Sequence, residues 1–202
     1  NMAYCQPCVS PIWDTGLTSL VLQEVNRYEH NPKTQQAIKS ALHWLVSKQL
    51  RDEPGDWQIQ RPNLPGGGWA FQFGNSYYPD VDDTAVVALA LVQADERKFA
   101  ENIERAGSWI AGMQSRNGGY GAFDADNNHY YLNHIPFADH GALLDPPTAD
   151  VSGRCIMFLG KLVSKHPEYQ AVIDNCIAYL RNEQETDGSW FGRWGTNYIY
   201  GT

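Results

Sequence analysis

Pro11, Pro79 and Pro147 follow one another at intervals of 68 residues, and each is followed shortly by an acid beside a hydroxyl or small residue: Trp13-Asp14-Thr15, Asp82-Asp83-Thr84 and Ala149-Asp150-Val151-Ser152. A second pattern runs in phase with the first. Trp44-x4-Gln49, Trp109-x4-Gln114 and Tyr179-x4-Gln184 each set an aromatic five residues before a Gln, and a Gly-x-aromatic follows: Gly55-Asp56-Trp57, Gly118-Gly119-Tyr120 and Gly188-Ser189-Trp190. Self-similarity of this kind means one supersecondary unit used three times, each copy burying its apolar side against its neighbours.

The unit is helical. Leu17, Leu20, Val21 and Val25 share a face of a segment from Thr15 to about Tyr28, and Ala37, Ile38, Ala41, Leu42 and Leu45 do so before Gln49. Similar blocks cover 83–94, 99–114, 149–164 and 168–184, while Gly, Pro, Asn and aromatics fill 51–81, 115–148 and 185–202. No stretch alternates with period two between hairpin turns, so the chain reads as all-α: helix pairs joined by long loops. Such pairs stack as a solenoid or close into an α/α toroid of inner and outer helices. In a toroid the inner helices run parallel, so Asp14, Asp80, Asp82, Asp83 and Asp150 are expected to converge at one mouth. For Asp14 and Asp150 taken alone, helix capping worth about 1 kcal/mol each stays open as their whole role. It does not explain three carboxylates crowded into Asp80-Val81-Asp82-Asp83 after Tyr77-Tyr78.

Composition narrows the function. Fifteen Lys and Arg against 23 Asp and Glu give a net charge of −8, the opposite of a nucleic-acid binder. Hydrophobic residues at 43% support a core rather than disorder. Four cysteines are too few for a disulfide scaffold, and Cys5-Gln-Pro-Cys8 lacks the second pair a zinc site needs, so free thiols in a reducing compartment are expected. His134, His140, Asp139 and Asp145 show no regular ligand spacing, and no metal is expected. The chain opens without a basic-then-apolar leader, and its longest uncharged apolar stretch, Thr84 to Ala94, is too short to span a bilayer.

The acidic cluster and its surroundings resemble the squalene–hopene cyclases. Asp80-Val81-Asp82-Asp83-Thr84 matches that family's DxDDTA motif, and Gly67-Gly68-Trp69-Ala70-Phe71-Gln72-Phe73 precedes it as in the family. The Gln…Gly-x-aromatic segments look like its Gln-Trp repeats. Ser10-Pro11-Ile12-Trp13-Asp14-Thr15-Gly16, Asn133-His134-Ile135-Pro136-Phe137 and Asp187-Gly188-Ser189-Trp190-Phe191-Gly192-Arg193-Trp194-Gly195 follow in the family's order. Family members are longer, so the resemblance implies that residues 1–202 are part of one α/α-barrel domain, with the rest of it and a second barrel domain absent.

It also implies the chemistry: cyclisation of squalene to hopene or hopanol without metal or cofactor, at the cytoplasmic face of the cell membrane as a peripheral (monotopic) protein, with a homodimer as a further expectation. Asp82 matches the proton donor and Asp80 and Asp83 its flanking carboxylates. Asp14 and Tyr200 match a hydrogen-bond network that reprotonates the acid. Trp13, Phe71, Phe123 and Trp194 match aromatic cavity positions, and Phe137 and Ala138 a constriction towards the membrane-facing entrance. Phe123 stands where some members have Tyr, and Arg154 where some have His.

These residue types suit the task. An ordinary Asp with a pKa of about 3.9 is ionised near neutral pH. Crowding three carboxylates keeps one of them protonated. A cation beside the donor then favours the carboxylate left after transfer, a role open to Arg154, which also fits a plain i,i+4 pair with Asp150. Aromatic faces stabilise the resulting carbocation without capturing it. Read from residues alone, a cyclase of another linear terpene, a non-catalytic helical-toroid binding module and an inactive inherited piece stay open.

Overall fold

In a computed structural model, which describes residues 9–135, 143–193 and 197–202, the chain forms three helix pairs. They are α1 (Pro11–Tyr28) with α2 (Pro32–Val46), α3 (Val81–Asp95) with α4 (Ala100–Gly112), and α5 (Ala149–Leu162) with α6 (Tyr169–Glu183). Local chemistry sets the starts. The Ser10 hydroxyl accepts from Trp13 N at 2.9 Å before Pro11, and the Asn31 side chain caps α2 before Pro32. Sequence periodicity places the first helix four residues late: the helix already begins at Pro11, and Ile12 in its first turn belongs to the core.

Helices α1, α3 and α5 are parallel. Gly16 lies against Val86 and Val87, and further along Gln23 Nε2 donates to Ala90 O at 3.1 Å, so α1 runs alongside α3 in the same direction. Arg154 meets Asp82 near the starts of α5 and α3, and Lys165 meets Glu96 at 2.6 Å just beyond their ends. Gly16 permits the α1–α3 approach, since a Cβ there would lie 3.1 Å from Val86 Cγ1. The helix α3 sits between α1, α5 and α4 and is buried on all sides from Val81 to Leu91 apart from Asp82. Its apolar run is therefore core, and among the described residues no helix is long and apolar enough to cross a membrane. Cys155 and Cys176 are free, buried thiols; Cys5 and Cys8 lie outside the described residues.

The repeated glutamines join the units. Gln49 Nε2 donates to Gly67 O (2.8 Å) and to Asn102 O (2.9 Å), and its Oε1 accepts from Asn102 Nδ2 at 2.6 Å. Gln114 Nε2 donates to Gly118 O (2.9 Å) and Val172 O (2.8 Å). Each side chain thus ties its own loop to the first turn of the next outer helix. Gln184 Nε2 likewise donates to Gly188 O.

These bonds correct the sequence alignment of the first unit. The partner of Gln49 is Gly67-Gly68-Trp69, not Gly55-Asp56-Trp57. Trp69 Nε1 donates to Leu45 O at 2.6 Å as Trp190 Nε1 does to Leu180 O at 2.7 Å, in each case to the carbonyl four residues before the Gln. Spacing missed this because residues 51–66 intervene. That insertion packs Trp57 edge-on against Trp109, and its Arg61 donates to Gly112 O, Gln114 O and Asp126. Without it the turn is tight and needs a left-handed glycine, as at Gly118 (φ 92°) and Gly188 (φ 91°).

Two further elements were not expected. A two-residue ladder pairs β1 (Trp69–Ala70) with β2 (Pro79–Asp80), too short to show alternation. The short helix α7 (Asn197–Gly201) lies in the segment read as loop. A hydroxyl bond explains its place: Trp69 N donates to Thr84 Oγ1, Tyr120 N to Ser152 Oγ and Trp190 N to Thr202 Oγ1, each at 2.9 Å. In that register Tyr200 occupies on α7 the position of Asp82 on α3 and Asp150 on α5.

The Gln49 tie is buried and fully bonded, so Gln49→Leu strands two carbonyls and an amide. Each stranded group costs about 1–3 kcal/mol, and a lowered denaturation midpoint of the intact protein should report it. A variant as stable as the parent would show that the glutamines do not join the units.

Candidate active site

Asp80 ends β2 and caps α3: its Oδ1 accepts from Asp82 N at 2.7 Å and Asp83 N at 3.1 Å. Its backbone is held too, since Thr84 Oγ1 donates to Asp80 O at 2.6 Å while accepting from Trp69 N. Val81 N donates to Ala122 O at 2.7 Å. The first turn of α3 is thereby locked to the ladder on one side and to the 121–124 loop on the other.

The three carboxyls have different surroundings. Asp83 is 1% exposed, and its Oδ1 has no hydrogen-bond partner. Asp82 lies at the surface of a cavity, and both its oxygens accept from Arg154 Nη1 at 2.9 Å. Arg154 Nη2 donates to Tyr200 Oη at 3.3 Å, and its guanidinium lies 5.3 Å from the Trp13 ring centre and 5.7 Å from that of Tyr200. Asp150, the i,i+4 neighbour, is 3.7 Å from Arg154 Nη1 and accepts no hydrogen bond. Of the two roles open to Arg154, the pairing with Asp82 dominates and the helix pair with Asp150 is secondary.

Burial, reinforced by the Asp82 charge, pushes the Asp80 carboxyl up to about 8. Burial with the Asp80 and Asp82 charges pushes Asp83 up to about 9. Asp82 is raised by burial and by Asp150 but pulled back by Arg154, and stands at about 6. Crowding was expected to keep one carboxyl protonated; it keeps two, Asp80 and Asp83, and leaves Asp82 as the strongest acid of the three.

A cavity of 350 Å³ opens onto this cluster, lined by Trp13, Phe71, Asp80, Asp82, Asp83, Ala122, Phe123, Val151 and Tyr200. The structure thus brings Trp13, Phe71 and Phe123 together with the acids, as the sequence reading expects. Asp14 is exposed in the first turn of α1, and among the described residues no hydrogen bond joins it to the trio; it acts on Asp83 only through its charge. Phe137, Ala138 and Trp194 lie outside the described residues. Ala122 and Val151 were missed because small aliphatic side chains carry no chemical signal. A larger cleft of 610 Å³ lies at the opposite ends of the helices, among Gln23, Lys39, Gln93 and Lys98, remote from the acids.

The fold has counterparts among solved structures. A type II terpene cyclase, MstE from Scytonema, superposes with a TM-score of 0.60 at 18% identity, over 100% of this chain and 50% of that one. A second structure of that cyclase, in complex with geranylgeranyl dihydroxybenzoate as substrate, matches with a TM-score of 0.60 at 18% identity over 98% and 48%. The fold is therefore the α/α toroid of terpene cyclases. The sequence gives the family: the squalene-hopene cyclase C-terminal domain matches over residues 9–202, and the chain belongs to the squalene-hopene cyclase family. Squalene-hopene cyclases from Schizosaccharomyces japonicus and Zymomonas mobilis are 58% and 54% identical to it, in each case over 98% of the chain and 30% of the relative. That from Alicyclobacillus acidocaldarius is 46% identical over 98% of the chain and 31% of the relative. The chain spans about a third of the length of these relatives.

The raised carboxyls fix the sign of a pH effect. Unfolded, Asp80 and Asp83 ionise near 3.8; folded, they hold their protons to about 8 and 9. Between those values the folded protein binds protons that the unfolded chain has released, so stability falls as pH rises. Melting temperature should drop from pH 5 to pH 9 in the intact protein, and Asp80→Asn with Asp83→Asn should flatten the dependence. A slope unchanged in the double variant would show that these groups are not raised.

Proposed function

We propose that the intact protein carrying this chain is a squalene cyclase in which Asp82 protonates a terminal alkene and the cation closes successive rings to a hopene- or hopanol-type product. The observation that carries this reading is the environment of Asp82: a carboxyl facing an aromatic-lined cavity, with a guanidinium behind it and two carboxyls beside it that stay neutral. Protonating an isolated alkene needs a strong acid in a dry place. Asp82 at about 6 is the strongest of the three, and Arg154 stabilises the carboxylate that transfer leaves behind. With Asp80 and Asp83 neutral, the charge that opposes proton loss from Asp82 is that of Asp150, and Arg154 outweighs it.

The cation must then be stabilised without being captured. Trp13, Phe71 and Phe123 offer π faces worth about 2 kcal/mol or more when desolvated, and none is a good nucleophile. Tyr200 orients Arg154 through its hydroxyl. No step calls for a metal or cofactor from these residues.

A cavity of 350 Å³ is small for a triterpene chain. On this reading the missing walls come from the remainder of the protein, including a second barrel domain. A water-insoluble substrate also calls for docking on a membrane surface through an apolar patch, at the cytoplasmic face. Association as a homodimer belongs to the same reading.

Incubating the intact protein with squalene tests the assignment: pentacyclic alkene or alcohol is expected, and a product formed only from another linear terpene would replace squalene as substrate. Asp82→Asn keeps the shape and removes the proton, so cyclisation should cease while melting temperature stays nearly unchanged. Asp80→Asn and Asp83→Asn should slow it by 10²–10⁴-fold, the scale of general-acid assistance. If Asp82→Asn retains substantial activity while Asp83→Asn loses all of it, the donor is Asp83.

Activity should fall as pH rises through about 6, where Asp82 loses its proton. Arg154→Gln removes the cation that lowers this pKa, so the falling limb should move to higher pH while the maximal rate drops. A limb that stays in place or moves to lower pH would exclude Arg154 from tuning the acid. The 202-residue chain alone should give no turnover, because bulk water would quench a cation in the open cavity.

A further inference from the structure

Three consecutive backbone amides converge on one buried carboxylate in the long loop between α4 and α5. Ala122 N donates to Asp145 Oδ1 at 3.1 Å, and Phe123 N and Asp124 N donate to Asp145 Oδ2 at 2.6 and 2.7 Å. Asp145 is 7% exposed, its own N–H donates to Asn127 O at 3.0 Å, and Arg193 Nη1 lies 3.7 Å from its Oδ1. The fit is close: a Cβ on Gly121 would fall 2.5 Å from Asp145 O and 2.8 Å from Asp145 Oδ2. Such a nest of amides around a carboxylate fixes the loop conformation, because removing the acceptor strands one buried and two half-buried donors at once.

The clamped segment touches the acid cluster twice. Ala122 O accepts from Val81 N at 2.7 Å, at the residue between Asp80 and Asp82. Ala122 and Phe123 also form part of the cavity wall that Asp82 faces. Asp145 itself does not line the cavity. Its role is therefore exerted through the loop.

We propose that Asp145 is a positioning residue for cyclisation, holding residues 121–124 so that the Phe123 ring stands at a fixed place in the cavity and Ala122 O anchors the start of α3. The proposal rests on the cyclase reading of the same site. A π face stabilises a cation only at short range and in the right orientation, so a loosened Phe123 lets an early cation lose a proton before later rings close. Loosening also disturbs the first turn of α3, and with it the direction of the Asp82 carboxyl.

The test uses the intact protein with Asp145→Asn, which keeps the side-chain shape but offers one acceptor atom fewer, alongside Asp145→Ala and Phe123→Leu. Amide hydrogen exchange at Ala122, Phe123, Asp124 and Val81 is measured with melting temperature, kcat, KM and the ratio of incompletely to completely cyclised products from squalene. In Asp145→Asn those four amides should exchange faster, kcat should fall about tenfold to a hundredfold, and incompletely cyclised products should rise. Phe123→Leu should reproduce the product shift with normal exchange. A merely structural Asp145 would lower melting temperature and yield while leaving the product ratio at the parent value, and that result overturns the proposal, as does unchanged exchange at 121–124. Should Asp145→Ala fail to fold, Asp145→Asn decides alone. If the parent protein itself makes no cyclised product from squalene, the cyclase reading fails, and the exchange data still report separately whether Asp145 clamps the loop.

Discussion

The Asp80 carboxyl at the head of α3 is the contact on which the site depends. It satisfies the free amides of Asp82 and Asp83, which fixes both residues in the first helical turn. Its own backbone is pinned by Thr84 and by the ladder to Trp69, so the cap cannot swing away to solvent. An exposed cap would be an ordinary N-terminal stabiliser. Buried beside Ala122 and Phe71, it places three carboxyls at one mouth and makes their full ionisation costly.

One guanidinium resolves that frustration unevenly. Arg154 bridges both oxygens of Asp82 through a single nitrogen and reaches neither Asp80 nor Asp83. The three groups therefore separate, with Asp82 lowest and its neighbours held neutral. A Lys or His in that place would present a different field: Arg keeps its charge when partly buried and packs its flat face against Trp13 and Tyr200. Those two rings come from α1 and α7, so the cation is oriented by elements flanking α3 and α5, and the acidity of Asp82 becomes a property of the assembled ring of helices.

Much of this was legible in the residues. The 68-residue phase placed Asp14, Asp82 and Asp150 in the first turns of parallel helices; the capping read into Asp14 and Asp150 does not hold, because the caps fall on Ser10, Asp80 and Thr148. Asp80-Val81-Asp82-Asp83 stood out as more than a cap, and Trp13, Phe71 and Phe123 fell beside it. The partner of Gln49 was misread because the insertion 51–66 carries its own Gly-x-Trp, and spacing cannot choose between two such triplets. Only the hydrogen bonds from Gln49 and Trp69 do. The segment carrying α7 looked like a loop because so short a helix has no periodicity to detect. Asp145 was passed over as a poor metal ligand, since three backbone donors leave no trace in side-chain patterns. The uneven titration of the trio was likewise hidden: sequence shows crowding, but which carboxyl Arg154 reaches is set by how α5 lies against α3.

The central claim is that Asp80 and Asp83 stay protonated while Asp82, alone of the three, titrates near pH 6 under the influence of Arg154. Infrared difference spectroscopy of the intact protein across pH 4 to 10, with each Asp replaced in turn by Asn, measures this directly through the carbonyl stretch of protonated carboxyls. The account predicts two buried-carboxyl bands that persist at pH 7 and vanish singly in Asp80→Asn and Asp83→Asn, together with a third that is lost near pH 6 and is absent from Asp82→Asn. Bands at pH 7 that disappear only with Asp82→Asn, or none at all, would contradict it.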